Sequence, residues 1–129
     1  MMKRGSRSLP SEKIILDTKV FVDVPMYSNN SKKYINFKMN RAAIGVIQKA
    51  HNDVSDALVT KNVQIPLEGD VLKVKIPWRG RFPVCSVVGD KSLSSLAAGD
   101  QVGIKVEFCG AWIISDFSGV SWKLMSLAS

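Results

Sequence analysis

Turn-forming residues recur along the second half of this chain at spacings that constrain its fold more than any other feature. From Val63 onward they separate short segments rich in β-branched and aromatic residues. They are Gly69-Asp70, Gly80, Gly89-Asp90, Gly99-Asp100, Gly110 and Ser118-Gly119. Short strands separated in this way are typical of a small barrel or a sandwich. A chain of 129 residues, 46% of them hydrophobic, is long enough to bury the core of one such domain.

The fold class predicted for residues 14–129 is mainly β with one α-helix, arranged as a small antiparallel barrel. The first strand covers residues 14–24 and ends at Pro25, and a turn at 28–31 leads into a second strand at 33–39. Asn40 is a suitable helix N-cap, and apolar residues at helical spacing then predict one helix over about residues 41–60. Alternation predicts a strand at 102–108. A closing hairpin is predicted from strands at 112–117 and 120–124, with its turn at Ser118-Gly119.

Positive charge is in excess, because 18 Lys and Arg residues outnumber 11 Asp and Glu residues and the formal net charge is +7. The charge is also clustered, since the segment between Asp23 and Asp53 contains basic residues and no acid. This balance points to a polyanionic partner, with nucleic acid as the first candidate. A positive charge that serves only solubility is the alternative. Residues 1–13 are predicted to form a flexible basic arm, because their composition cannot bury apolar area.

The richest cluster of candidate binding residues is segment 71–82, in which an alternating strand runs into an aromatic loop. On that strand, Lys73 and Lys75 point away from the apolar face. The loop then adds Trp78, Arg79, Arg81 and Phe82. A site for single-stranded nucleic acid needs both features, because cations neutralise phosphates and aromatic rings stack on bases. The alternative is that both rings cap the core and the lysines form a solvated strand face.

A second basic and aromatic cluster lies on the strand predicted at 33–39. Its candidate binding residues are Lys32, Lys33, Tyr34 and Lys38, with Tyr34 as a stacking ring. Phe37 is predicted to be structural, and Trp122 is predicted to lie in the core with its alternating apolar neighbours. Two more candidates lie near the end of the chain. Lys105 is a further phosphate contact, and Trp112 either projects from the rim of the barrel or packs inside it.

No catalytic or metal-binding set is evident, so we expect no enzymatic activity, no metal and no cofactor. Carboxylates that converge only in the folded chain are the alternative route to hydrolytic chemistry. The single histidine, His51, is expected at the surface or its boundary. Cys85 and Cys109 are expected to be buried free thiols, with a disulfide between neighbouring strands as the alternative. With neither a secretory signal nor an apolar run of about 18 residues, we expect an intracellular protein, in the cytoplasm or nucleus, without a membrane partner.

The closing stretch Gly110-Ala-Trp-Ile-Ile-Ser-Asp-Phe-Ser-Gly-Val-Ser-Trp-Lys-Leu124 resembles the last hairpin of OB-fold single-stranded DNA-binding proteins of some DNA viruses and phages. In those proteins a Gly-hydrophobic-Ser-Trp-Lys pattern closes the barrel. The resemblance implies an OB-like barrel over residues 14–129 and a DNA ligand. Two features depart from the family. The helix follows only two predicted strands, whereas a standard OB-fold places it after the third, and the C-terminus lacks an acidic tail for recruiting partners.

Together these features predict a protein that binds single-stranded nucleic acid, DNA rather than RNA, with little sequence preference. Such a protein would protect or organise single strands during replication or recombination, as a monomer or a homo-oligomer. The alternative is a small coat-type structural protein. Its basic arm, residues 1–13, would neutralise nucleic acid while a β-sandwich self-assembles around it.

Overall fold

The computed structural model describes residues 14–129 and the backbone of residues 7–8. The described strands, numbered in chain order, are β1 (Arg7–Ser8), β2 (Ile15–Asn29), β3 (Lys32–Lys38), β4 (Asn62–Gln64), β5 (Leu67–Glu68), β6 (Val71–Ile76), β7 (Trp78–Arg79), β8 (Phe82–Pro83), β9 (Ser86–Val88), β10 (Gln101–Ile114) and β11 (Phe117–Ala128). The helical elements are α1 (Arg41–Asp53) and two short 3₁₀ turns, Ser55–Ala57 and Leu93–Ser95.

Five strands close into a barrel in the order β2–β3–β6–β11–β10, with β10 returning to pair with β2. The contacts between them are antiparallel except at β6 and β11, which run parallel. A single residue pair, Lys75 with Lys123, joins those two strands. The predicted small OB-like barrel, mainly β with one helix, is therefore confirmed, and its seam between β6 and β11 is only loosely closed.

The core fills the barrel because apolar residues alternate along its strands. On β6, Leu72 and Val74 are fully buried, whereas Lys73 and Lys75 on the opposite face remain partly exposed. The same alternation buries apolar residues of β10 and β11, and each such side chain stabilises the fold by about 1.5–3 kcal/mol relative to exposure. The face of a strand that leaves the core is therefore free to contact a ligand.

Helix α1 connects the second and third strands of the barrel, β3 and β6, as the order of predicted elements implied. Asn40 caps it, since its Oδ1 accepts a hydrogen bond from the backbone N–H of Ala43 at 2.8 Å. The helix ends at Asp53, earlier than predicted. Ser55 Oγ donates a hydrogen bond to the carbonyl of Asn52, and the chain continues as a 3₁₀ turn. Among the described residues, no helix is long and apolar enough to cross a membrane.

His51 is buried, so its predicted position at the surface or its boundary is wrong. It is on the inner face of α1, is 8% exposed, and its Nε2 accepts a hydrogen bond from Trp122 Nε1 at 3.0 Å. Burial lowers the pKa of His51, which favours the neutral ring that this acceptor role requires. The sequence did not reveal the partner because Trp122 lies on a strand far along the chain.

Two strand boundaries differ from the prediction. Strand β2 continues through Pro25 to Asn29. Beyond Val22, β3 is the neighbouring strand among the described residues, and register shifts between β2 and β3 accommodate the missing N–H of Pro25. The closing turn lies at residues 115–116, before the predicted Ser118-Gly119. Those two residues are buried within β11, and a β-carbon at Gly119 would lie 2.8 Å from the Trp112 ring and closer still to the carbonyl of Gln64.

The two cysteines are free thiols, as predicted. Cys109 is nevertheless exposed, because Phe108 points into the core and its neighbour therefore points out. Cys85 is half-buried beside the core. The expected burial of both thiols is thus wrong for Cys109.

Little of the predicted basic arm at residues 1–13 can be compared with the structure. The backbone of Arg7–Ser8 forms β1, which pairs with Trp112 and Ile113 at the end of β10. The rest of that prediction lies outside the described residues.

Candidate functional site

The outer faces of β3 and β6 form a basic surface centred on a tyrosine. The antiparallel register places Tyr34 opposite Lys75 and Asn36 opposite Lys73, and all four side chains point away from the core. Lys73 Nζ lies 4.2 Å from the centroid of the Tyr34 ring. The structure therefore brings together three residues that the sequence placed in two separate clusters.

A groove of about 780 Å³ lies over this surface, beside the seam between β6 and β11. Strands β6 and β11 are joined by one residue pair, which leaves part of the seam open. Residues 62–66, which precede β5 and β6, lie along this open part. The Pro66 carbonyl accepts a hydrogen bond from the N–H of Lys73 at 2.9 Å, and β4 pairs with the start of β11. This segment adds Val63 and Ile65, each more than two-fifths exposed, as an apolar wall facing the lysines.

Positive charge in the groove is not neutralised by the residues around it. Lys32, Lys73 and Lys75 line the groove, and the described residues lining it include no Asp or Glu. None of these three lysines belongs to an ion pair within residues 14–129. The ammonium groups are therefore available to anions from outside the protein.

Tyr27 belongs to this surface and was missed by the sequence analysis. Its ring centroid lies 5.9 Å from that of Tyr34, and its hydroxyl donates a hydrogen bond to Asn36 Oδ1 at 2.7 Å. Burial raises the pKa of Tyr27, so the phenol stays protonated as that bond requires. The predicted strand ends at Pro25 and so excludes Tyr27. A two-residue hairpin turn at residues 30–31 would have indicated its position, because such a turn places Tyr27 directly opposite Tyr34 on the paired strands.

The remaining candidates of segment 71–82 lie on a short hairpin, β7–β8, that follows β6 directly. Trp78 packs partly against the core, and Lys33 Nζ lies 5.6 Å from the centroid of its ring. Phe82 is 73% exposed, so the alternative in which it caps the core is wrong. Both arginines, Arg79 and Arg81, are exposed next to Phe82 at the hairpin turn, where Gly80 has a φ of +60°. The hairpin therefore presents the Trp78 ring, which packs against the core, the exposed Phe82 ring, and two arginine side chains.

Trp112 lies at the end of β10 and lines the groove, half-buried, as the rim alternative predicted. Its ring packs against Gly119, where no side chain intervenes. Trp122 and Phe37 are core residues, 1% and 0% exposed, as predicted. The tryptophan available to a ligand at this end of the groove is therefore Trp112.

Three of the predicted lysines do not line the groove, and one of them, Lys33, lies over the Trp78 ring. Lys105 is on the outer face of β10, in register with Asp17 of β2. Lys38, at the far end of β3, lines a different cavity and forms a long ion pair with Asp70 at 3.9 Å. The sequence identified both as exposed cations, but only the barrel topology separates them from Lys73 and Lys75.

Residues 14–129 contain no group of three or more His, Cys, Asp or Glu side chains placed to hold a metal ion. Partial desolvation of its sulfur raises the pKa of Cys109, which disfavours the thiolate although the residue is exposed at the surface.

Comparisons with protein families, with curated proteins and with solved structures found no match to this chain.

Proposed function

We propose that this protein binds single-stranded nucleic acid in the groove over β3 and β6, with little sequence preference. By covering exposed strands it would protect or organise them, as replication and recombination require. DNA is the ligand to test first, because the resemblance of the closing hairpin is to DNA-binding proteins.

The observation that carries this proposal is a groove with three unpaired lysines and no lining carboxylate among the described residues. Phosphates gain most from such a surface, because binding releases the counterions condensed on the nucleic acid. An OB-type barrel also binds its oligonucleotide ligands on the outer face of its second and third strands, which here are β3 and β6.

Aromatic side chains support a single strand over a duplex. Tyr34 and Trp112 line the groove, and Phe82 is exposed on the neighbouring hairpin. Rings stack on the faces of unpaired bases, which a duplex keeps stacked on each other. Stacking does not read the base edges, so little sequence preference is expected.

The first test is fluorescence anisotropy of a labelled single strand at several salt concentrations, with the matching duplex and the matching RNA as competitors. We expect affinity to fall as salt rises and the duplex to compete poorly. RNA competition decides which nucleic acid is preferred. Equal competition by duplex would contradict single-strand selectivity, and no binding at low salt would contradict the proposed function.

Lys75→Gln and Lys105→Gln form a matched pair for locating the site. Each removes one charge from the outer face of a barrel strand, but only Lys75 lines the groove. We expect Lys75→Gln to reduce the slope of log affinity against log salt by about 0.7, the value for one phosphate contact on a single strand. Lys105→Gln should leave the slope close to that of the wild type. Equal slopes for both variants would place the nucleic acid elsewhere.

A further inference from the structure

A second cavity, of about 470 Å³, lies at the other end of β3 from the hairpin turn that joins it to β2. Phe21 and Lys19 contribute to it from the outer face of β2, and Lys38 contributes from β3. The backbone at residues 98–99 lies on another side, held to β2 by a hydrogen bond from the N–H of Gly99 to the carbonyl of Val22 at 2.8 Å. The cavity therefore combines a flat ring, two cations and a fixed backbone wall.

The exposure of the Phe21 ring in this cavity is not explained by packing within the protein. Phe21 lies in register with Lys38 on one side and Gln101 on the other, and its side chain points away from the core. It remains 47% exposed, although burial of a phenyl ring is favourable. A ring presented beside a lysine on an outer strand face has the same chemistry as Tyr34 beside Lys73.

The charges around Phe21 favour an anion on one side of the cavity. Lys38 is paired with Asp70 at 3.9 Å, but both side chains are about half exposed, so the pair is weak and can be exchanged for a phosphate. Lys19 lies on the same strand face as Phe21. Asp23 also lines the cavity, so a phosphate would lie on the side of the two lysines.

We infer that this cavity is a second nucleotide-binding subsite, in which Phe21 stacks on a base and Lys38 contacts a phosphate of the strand held in the groove. The inference rests on the proposed function. The two sites share the outer face of β3, along which Tyr34 and Lys38 are separated by about 13 Å, four residues of strand rise. Asn36 lies between them on the same face. A short oligonucleotide is held by the groove alone, and a longer one continues to Phe21.

The test compares Phe21→Ala with the wild type on labelled oligothymidylates of about 5 and about 15 nucleotides, lengths within the range of OB-type sites. We expect Phe21→Ala to weaken binding of the longer strand about tenfold and to change binding of the shorter strand less than about twofold. Ile15→Ala is the matched control, because Ile15 lies on the outer face of the same strand and is 44% exposed, but does not line the cavity. It should bind both lengths as the wild type does.

Lys38→Gln provides an independent measurement that does not alter the aromatic ring. It should reduce the salt dependence of binding for the longer strand and not for the shorter one. Wild-type affinity for the longer strand in Phe21→Ala and Lys38→Gln would overturn the subsite while leaving the groove in place. If the wild type binds neither length in a salt-sensitive way, the proposed function fails and the subsite fails with it.

Discussion

At the scale of single residues, the contact between Lys73 and Tyr34 determines how accessible the Tyr34 ring is to a stacking ligand. The ammonium lies over one face of the ring, at 4.2 Å from its centroid. An exposed cation–π contact is worth about 0.5–1 kcal/mol, whereas a stacked base contributes about 1–3 kcal/mol. Under the proposed function, a base displaces Lys73 from the ring, and the displaced ammonium is then free to contact a phosphate.

Replacing Tyr34 by alanine should weaken binding of a single strand by about 1–3 kcal/mol, or about fivefold to 150-fold, because the ring is lost. Tyr34→Phe keeps the ring and should retain affinity within about threefold, since the hydroxyl of Tyr34 is not part of the stack. Anisotropy titrations of both variants measure this difference. If Tyr34→Ala folds and binds as well as Tyr34→Phe, then Tyr34 does not stack on the ligand.

His51 makes the stability of the protein depend on pH. Because burial lowers its pKa below the ordinary value of 6.5, the unfolded chain takes up a proton at a higher pH than the folded chain does. The free energy of unfolding should be level above about pH 6.5 and decline as the pH falls from there to the folded-state pKa, with a slope of at most about 1.4 kcal/mol per pH unit. Urea unfolding at a series of pH values measures this decline.

The His51→Gln variant separates this effect from other titrating groups. Glutamine can still accept the hydrogen bond from Trp122 Nε1, but it does not titrate. Its free energy of unfolding should decline less than that of the wild type between about pH 6.5 and pH 5. An equally steep decline in both proteins would show that His51 is not the group responsible.

At the scale of elements, one wall of the groove depends on how closely β4, β10 and β11 approach each other. Gly119 of β11 lies beneath the Trp112 ring and beside Gln64 of β4. A side chain there would push the ring or the short strand outward. The width of the open seam between β6 and β11 therefore depends on the absence of a side chain at Gly119 as well as on the single parallel residue pair.

Gly119→Ala should destabilise the protein by about 1–3 kcal/mol, the usual cost of overpacking. It should also weaken nucleic-acid binding, since Trp112 and β4 both belong to the groove. Gly45→Ala is the matched control, because an added β-carbon in α1 meets no atom within 4 Å and alanine favours a helix. It should stabilise the protein by about 0.5–1 kcal/mol and leave binding unchanged. Thermal unfolding and anisotropy together measure both effects.

At the scale of the whole molecule, the five barrel strands and the groove lysines Lys32, Lys73 and Lys75 belong to residues 15–128. Deleting residues 1–13 should therefore preserve the barrel and most of the affinity for a single strand. The loss of affinity should be limited to the contribution of the basic side chains that are removed. Circular dichroism, light scattering and anisotropy of the truncated protein test this expectation. Large closed particles formed by the full chain, together with loss of binding on truncation, would favour the coat-type alternative instead.

Short-range pattern was sufficient to predict the elements that make up most of this fold. Alternation on β6 and β11 predicts which residues enter the core, and the sequence around Asn40 predicts a helix cap without any knowledge of packing. These features depend on neighbours within a few residues, which the sequence displays directly. The same reasoning failed at Pro25, where hairpin pairing with β3 continues the strand, and at Ser118-Gly119, where pairing with the distant strand β4 overrides the local preference for a turn.

The candidate site could be predicted only in part. The sequence by itself determined that Lys73, Lys75 and Tyr34 leave the core, because strand periodicity assigns each to an outer face. Only the tertiary structure decided that they share one groove, that Lys105 lies elsewhere, and that Tyr27 and the segment at 63–66 belong to the site. It also decided that His51 is buried against Trp122. The physical reason is that strand pairing and barrel closure join residues far apart in the chain, and local periodicity carries no record of those partners.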